Sequence, residues 1–85
     1  MRILYLPKFA RRYKKLPIEV RLLAEERVSL FRTNPADPKL KTHKLSGPLA
    51  GFWSFSINHT HRVIFDFADK NTARFYDIGT HEIYD

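Results

Sequence analysis

The chain has 85 residues, with 44% hydrophobic and 14% aromatic content, no cysteine and a formal charge of +6. This length predicts one domain, 1–85, with a modest core, and the composition excludes low-complexity disorder. The absence of cysteine excludes a disulfide framework, a thiolate nucleophile and a thiolate metal site, and it suits a reducing cytoplasm.

The apolar run Ile3 to Leu6 is far too short for a signal-peptide core, and no stretch is long enough to span a membrane. Charge is lopsided. Residues 1–44 hold 12 of the 15 Lys and Arg and 4 of the 9 Asp and Glu, a local net of +8, and the remainder carries −2. Such a field favours a polyanion: nucleic acid, an acidic protein segment or an anionic surface.

In chain order, Ile3–Leu6 predicts a short buried strand, stopped by Pro7, which suits a first helical turn. Phe9, Tyr13 and Leu16 follow at helical spacing among Lys8, Arg11, Arg12, Lys14 and Lys15, a short basic helix ended by Pro17. Across Ile18–Arg32, Val20, Leu23, Ala24, Arg27 and Phe31 mark one helix face, with Arg27 its snorkelling exception. Asn34-Pro35 closes this second helix, because the residue before proline leaves the α region. Residues 35–50 form a basic loop holding Lys39, Lys41, His43 and Lys44.

Three strands are predicted after it: Phe52–Ile57, Arg62–Phe67 and Ala73–Ile78, joined by turns at Asn58-His59-Thr60 and Asp69-Lys70-Asn71. The predicted architecture is α+β, in the order β-α-α-β-β-β. An antiparallel meander presents Trp53, Phe55, Val63, Phe65 and Phe67 to the helix hairpin and Ser, Arg and Asp side chains on its other face.

Chemistry is expected on that polar face and its loops. His59 and His61 have i, i+2 spacing at a turn, too weak a pattern for a metal site without further ligands. His59 is expected to be an exposed turn residue, and His61 either stacks or takes part in catalysis. His43, between Lys41 and Lys44, is either a loop residue or a general base. His81 follows Gly79-Thr80 and precedes the aromatic Tyr84. Arg62 shares strand parity with Asp66, so it either pairs with that carboxylate or serves as a phosphate clamp.

Histidines, an arginine and lysines are compatible with RNA cleavage that uses no metal or cofactor. A base takes the ribose 2′-hydroxyl proton, the oxygen attacks the adjacent phosphate, cations steady the developing charge, and an acid protonates the leaving 5′-oxygen. DNA lacks that hydroxyl, so the route selects RNA.

Two stretches carry a family resemblance: HKLSGPLAGFWSFSINHTHRVIF, from His43 to Phe65, and IGTHEIY, from Ile78 to Tyr84. They resemble the RelE/ParE superfamily of toxins from bacterial type II toxin–antitoxin systems, on its RelE, YoeB and YafQ side. The resemblance implies a curved antiparallel sheet with an N-terminal helix hairpin on one face, and messenger RNA cleavage at the ribosome. It implies His43 as general base, Arg62 as the catalytic arginine, His81 as general acid and Tyr84 as the terminal aromatic; Lys39, Lys41 and Lys44 of the basic loop are expected to position the RNA backbone. Ser56 and Thr60 stand where YafQ-like members carry a catalytic histidine and an aspartate. The implied partner is a cognate antitoxin in a toxin–antitoxin hetero-oligomer, whose acidic segment suits the basic half. The ParE branch implies an alternative, a non-enzymatic inhibitor of DNA gyrase, which has no use for His43, Arg62 and His81.

Overall fold

The computed structural model describes residues 1–80 and Ile83. Proline sets the helix boundaries. Pro7 opens α1 (Pro7–Lys14), whose missing N–H lies where no intrahelical partner exists, and Arg11, Arg12 and Lys14 crowd its carbonyl end, where cations are favoured. Pro17 precedes α2 (Ile18–Thr33), which ends at an extended Asn34 before Pro35. The buried stripe of α2 is Ala24, Val28 and Phe31. Val28, rather than Arg27, completes it; Arg27 lies at its flank and ion-pairs with neighbouring Glu26 at 3.2 Å.

Five strands form one sheet: β1 (Arg2–Tyr5), β2 (His43–Lys44), β3 (Trp53–Ser56), β4 (Arg62–Asp69) and β5 (Thr72–Gly79), in the order β1-β5-β4-β3-β2. All neighbours are antiparallel except β1 and β5, which are parallel from Arg2↔Thr72 to Tyr5↔Phe75. The expected simple meander is thus extended at both edges. β1 is not the buried strand expected: Leu4 is 38% and Tyr5 48% exposed, because an edge strand has a neighbour on one side only. Where β1 ends, Leu6 N–H still donates to the Phe75 carbonyl at 3.1 Å, and α1 takes over the flank of β5.

The segment 35–50 is not a plain loop. It holds a 3₁₀ turn at Pro38–Leu40, the strand β2 and a second 3₁₀ turn at Gly47–Leu49. Gly47 (φ 63°) and Gly51 (φ 97°) take left-handed conformations that let the chain reverse between β2 and β3, and Leu45 N–H closes the reversal on the Phe52 carbonyl at 2.9 Å.

Phe31 of α2 is the centre of the core. It is fully buried, stacked on Phe55 at 4.9 Å and edge-on to Phe65 at 4.9 Å and Phe75 at 5.3 Å. Phe9, Leu40, Ile57, Val63, Ala73 and Ile78 complete it. Among the described residues, no helix is long and apolar enough to cross a membrane.

Candidate active site

Cross-strand register decides which side chains share the face opposite the helix hairpin, since directly paired residues point the same way. His43 pairs with Ser54, Ser54 with Ile64, and Ile64 with Asp77. One row away, Ser56 pairs with Arg62 and Arg62 with Gly79. His43 and Arg62 are therefore on one face, two strands and one pleat apart, about 12 Å between Cα atoms from standard sheet spacings. This face is less open than a plain polar surface. Ser54, Ser56, Ile64 and Asp77 are all buried on it.

The His43 ring is exposed, and its Nδ1 lies 2.9 Å from the Lys41 carbonyl. A carbonyl only accepts, so Nδ1–H donates and the neutral ring keeps Nε2 as its basic nitrogen. Lys41 takes a left-handed conformation (φ 51°), uncommon for a residue with a side chain, as it leaves the first 3₁₀ turn.

Arg62 Nη1 donates to the Asn58 carbonyl at 2.8 Å and the His61 carbonyl at 3.1 Å. Of the two alternatives for Arg62, pairing with Asp66 does not form. Asp66 is taken by Arg74, through two bonds of 2.8 Å, and by Tyr76 at 3.1 Å. A register shift between Ile64 and Phe65 accommodates Tyr76 as an extra residue in β5 and brings its hydroxyl to Asp66. Burial and the Asp66 hydrogen bond raise the Tyr76 pKa above its usual 10.0. Among the described residues, no carboxylate lies within ion-pairing distance of Arg62.

The turn before Arg62 is held by one side chain. Asn58 Oδ1 accepts the N–H groups of Thr60 at 3.0 Å and His61 at 2.8 Å. The same oxygen is 3.2 Å from His61 Nδ1, which fixes that half-buried ring beside Arg62. His59 is exposed, as its turn position predicts.

The lysines are dispersed. Lys41 contributes its carbonyl to His43. Lys44 belongs to the opposite face, with its ammonium 5.4 Å from the Trp53 ring centre. Lys39 lies beside Arg27 and Thr33 of α2, flanking a shallow pocket. His81 and Tyr84 lie outside the described residues. Ile83 is buried; a Cβ on Gly79 would stand 2.7 Å from its Cγ2, so this residue covers β5 beside Arg62. Among the described residues, no group of three or more His, Cys, Asp or Glu side chains is placed to hold a metal ion.

This architecture, a strand, a helix hairpin and a sheet ordered β1-β5-β4-β3-β2, is matched over nearly its whole length by solved toxin structures. The chain has the RelE/ParE-type toxin fold. It matches a YoeB/ParE toxin from Agrobacterium tumefaciens at a TM-score of 0.79, with 16% identity over 95% of this chain and 99% of that one. A chain of the YoeB–YefM complex from Staphylococcus aureus matches at 0.76, with 25% identity over 95% and 97%. YafQ from Escherichia coli matches at 0.74, with 20% identity over 99% and 98%. No protein-family model matches the sequence, and no curated protein matches it. α2 packs on the sheet face opposite His43 and Arg62, and α1 runs along β5, from which Lys8 and Arg12 reach Asp77. Between these helices and β1 runs a groove of about 450 Å³, lined by Tyr5, Phe9, Tyr13 and Val28 and edged by Lys14, Arg32 and Glu25.

Two features of the site carried no sequence signal. Arg12 and Lys8 of α1 both reach Asp77, at 3.4 and 3.3 Å. That contact depends on α1 following β1 along the edge of β5, a non-local arrangement.

Proposed function

We propose that the chain is the toxin of a type II toxin–antitoxin system and acts as a ribosome-dependent endoribonuclease that cleaves messenger RNA through the ribose 2′-hydroxyl. The observation that carries this reading is the pairing of two preset groups on one sheet face. His43 is held with Nε2 as its basic atom, and Arg62 is anchored by backbone carbonyls with no carboxylate beside it among the described residues. In the proposed reaction His43 Nε2 accepts the 2′-hydroxyl proton as that oxygen attacks phosphorus. The remaining N–H groups of Arg62 meet the charge that develops on the phosphoryl oxygens, and His81 returns a proton to the departing 5′-oxygen. Tyr84 orients His81 or stacks on a base. His61, tied to Asn58, supports the turn that holds Arg62. Lys39, Lys41 and Lys44 draw RNA to this half of the chain by long-range attraction.

The proposed partner is an antitoxin. The S. aureus YoeB relative is seen with YefM as a toxin–antitoxin complex. On this chain the aromatic groove between β1, α1 and α2, edged by Lys14, Arg32 and Glu25, suits an amphipathic segment, and the net charge of the basic half favours an acidic one.

The test is primer extension on cellular messages after induction of the chain. Cleavage within translated frames, lost with Arg62→Ala, is the expected result. Intact messages together with DNA damage would replace this reading with gyrase inhibition.

A further inference from the structure

We propose that α1 supplies a second guanidinium, that of Arg12, to the anion-binding face around Arg62, where it holds a phosphate of single-stranded RNA, and that Asp77 is the residue that positions it. The identity of the ligand rests on the functional reading above; the geometry does not.

Asp77 is buried, and its two carboxylate oxygens are committed to different cations. Oδ1 is 3.4 Å from Arg12 Nε, and Oδ2 is 3.3 Å from Lys8 Nζ. Oδ1 also accepts the Ile78 N–H at 2.9 Å, which fixes the carboxylate on the strand. The anchor is therefore rigid, while Arg12 is still 44% exposed and reachable by a ligand. Carboxylate contact through Nε leaves the far end of the guanidinium free to point elsewhere. That end lies over β5: Nη1 is 3.5 Å from where a Cβ on Gly79 would stand. Gly79 is the cross-strand partner of Arg62, so this end of Arg12 lies over the strand next to Arg62, with Ile83 packed on Gly79 beside it.

Lys8 and Arg12 share the Asp77 carboxylate and Arg62 stands on the neighbouring strand, so this patch of described residues has a net charge of +2. An ion pair serving only to tie α1 to the sheet would need one cation, and either Lys8 or Arg12 would do. Holding both, with the planar fork of Arg12 half-exposed over the strand beside Arg62, is the arrangement that suits a phosphodiester next to the one Arg62 engages.

The test uses the full chain and a short single-stranded RNA methylated at every 2′-oxygen, which binds without being cleaved. Affinity is measured by fluorescence anisotropy over a range of salt. Arg12→Gln is expected to weaken binding about tenfold and to reduce the salt slope by about 0.7, the share of one single-strand phosphate contact. Arg12→Lys keeps the slope and recovers part of the affinity, since it restores charge without the fork. Asp77→Asn weakens binding although it removes a negative charge; a carboxylate that merely neutralised the patch would give tighter binding. If Asp77→Asn does not fold, Arg12→Gln, which alters a half-exposed side chain, decides alone. Wild-type slope and affinity in Arg12→Gln, tighter binding by folded Asp77→Asn, or no binding by the wild type would each overturn the proposal. Messages cut normally by a chain whose oligonucleotide binding ignores Arg12 would overturn this inference and spare the nuclease reading. Arg12-dependent binding without any cleavage would do the reverse.

Discussion

Arg62→Lys separates the two tasks assigned to Arg62. A guanidinium has five N–H donors. Nη1 commits its two to the Asn58 and His61 carbonyls, at 2.8 and 3.1 Å, leaving three on Nε and Nη2 for a phosphate. A lysine ammonium has three donors radiating from one point. If it satisfies both carbonyls, one donor is left and the flat fork is gone; if it turns to the phosphate, the carbonyls lose their partner. The expected cost to folding is about 1 kcal/mol or less, because a charged group and one good hydrogen bond survive. The expected cost to cleavage is about 10²–10³ in rate, roughly 2.7–4 kcal/mol, as for removal of one preorganised charge stabiliser. Purified wild-type and Arg62→Lys chains are compared by single-turnover cleavage of message on programmed ribosomes, with urea unfolding in parallel. A lysine variant that cleaves within threefold of wild type would show that Arg62 acts only as a positive charge, and the argument from its anchored fork would fail.

Three further outcomes follow from the packing. Phe31→Ala removes a fully buried ring from contact with three others and is expected to cost about 3–5 kcal/mol in urea unfolding; a loss under about 1 kcal/mol would mean the core closes without it. Gly79→Ala places a methyl 2.7 Å from Ile83 Cγ2, so it should destabilise the chain, and Ile83→Ala should return most of that loss in a double-mutant cycle; additive effects would contradict the contact. Burial first, then Glu25, raises the Tyr13 pKa, and burial first, then Asp66, raises that of Tyr76, both from 10.0. The neutral phenol is thus favoured in the folded state, and the stability it contributes is full below pH 10.0 and lost as pH rises through the higher folded values. Ultraviolet titration should show these two phenols ionising late, and each Tyr→Phe variant should remove one late step.

What was legible in the sequence is what local chemistry dictates. Pro7, Pro17 and Pro35 bound the helices because proline restricts itself and the residue before it. Alternation along Trp53–Ser56 and Arg62–Asp69 marks the core face, and Asn58 marks the turn. Non-local pairing was hidden. The strand His43–Lys44 has no hydrophobic pattern and exists because the two glycines fold it back on β3. β1 carries apolar residues yet is an edge, and burial of an apolar run could not reveal its parallel partner. Helix spacing in α2 favoured Arg27 over Val28 because both lie near one face, and only packing against the sheet separates them. The site shows the same division. His43 and Arg62 were identifiable by residue type and motif, but their common face follows from register. The Arg74–Asp66–Tyr76 cluster, which leaves Arg62 to backbone anchors, depends on a bulge that no alternation rule predicts.

The central claim is attack by the ribose 2′-hydroxyl, and the ends of the cleaved message report it directly. The account predicts a 2′,3′-cyclic or 3′-phosphate on the upstream fragment and a 5′-hydroxyl on the downstream one, with cleavage blocked by a single 2′-deoxy substitution at the scissile nucleotide. A 3′-hydroxyl with a 5′-phosphate, or undiminished cleavage of the deoxy-substituted message, would contradict it.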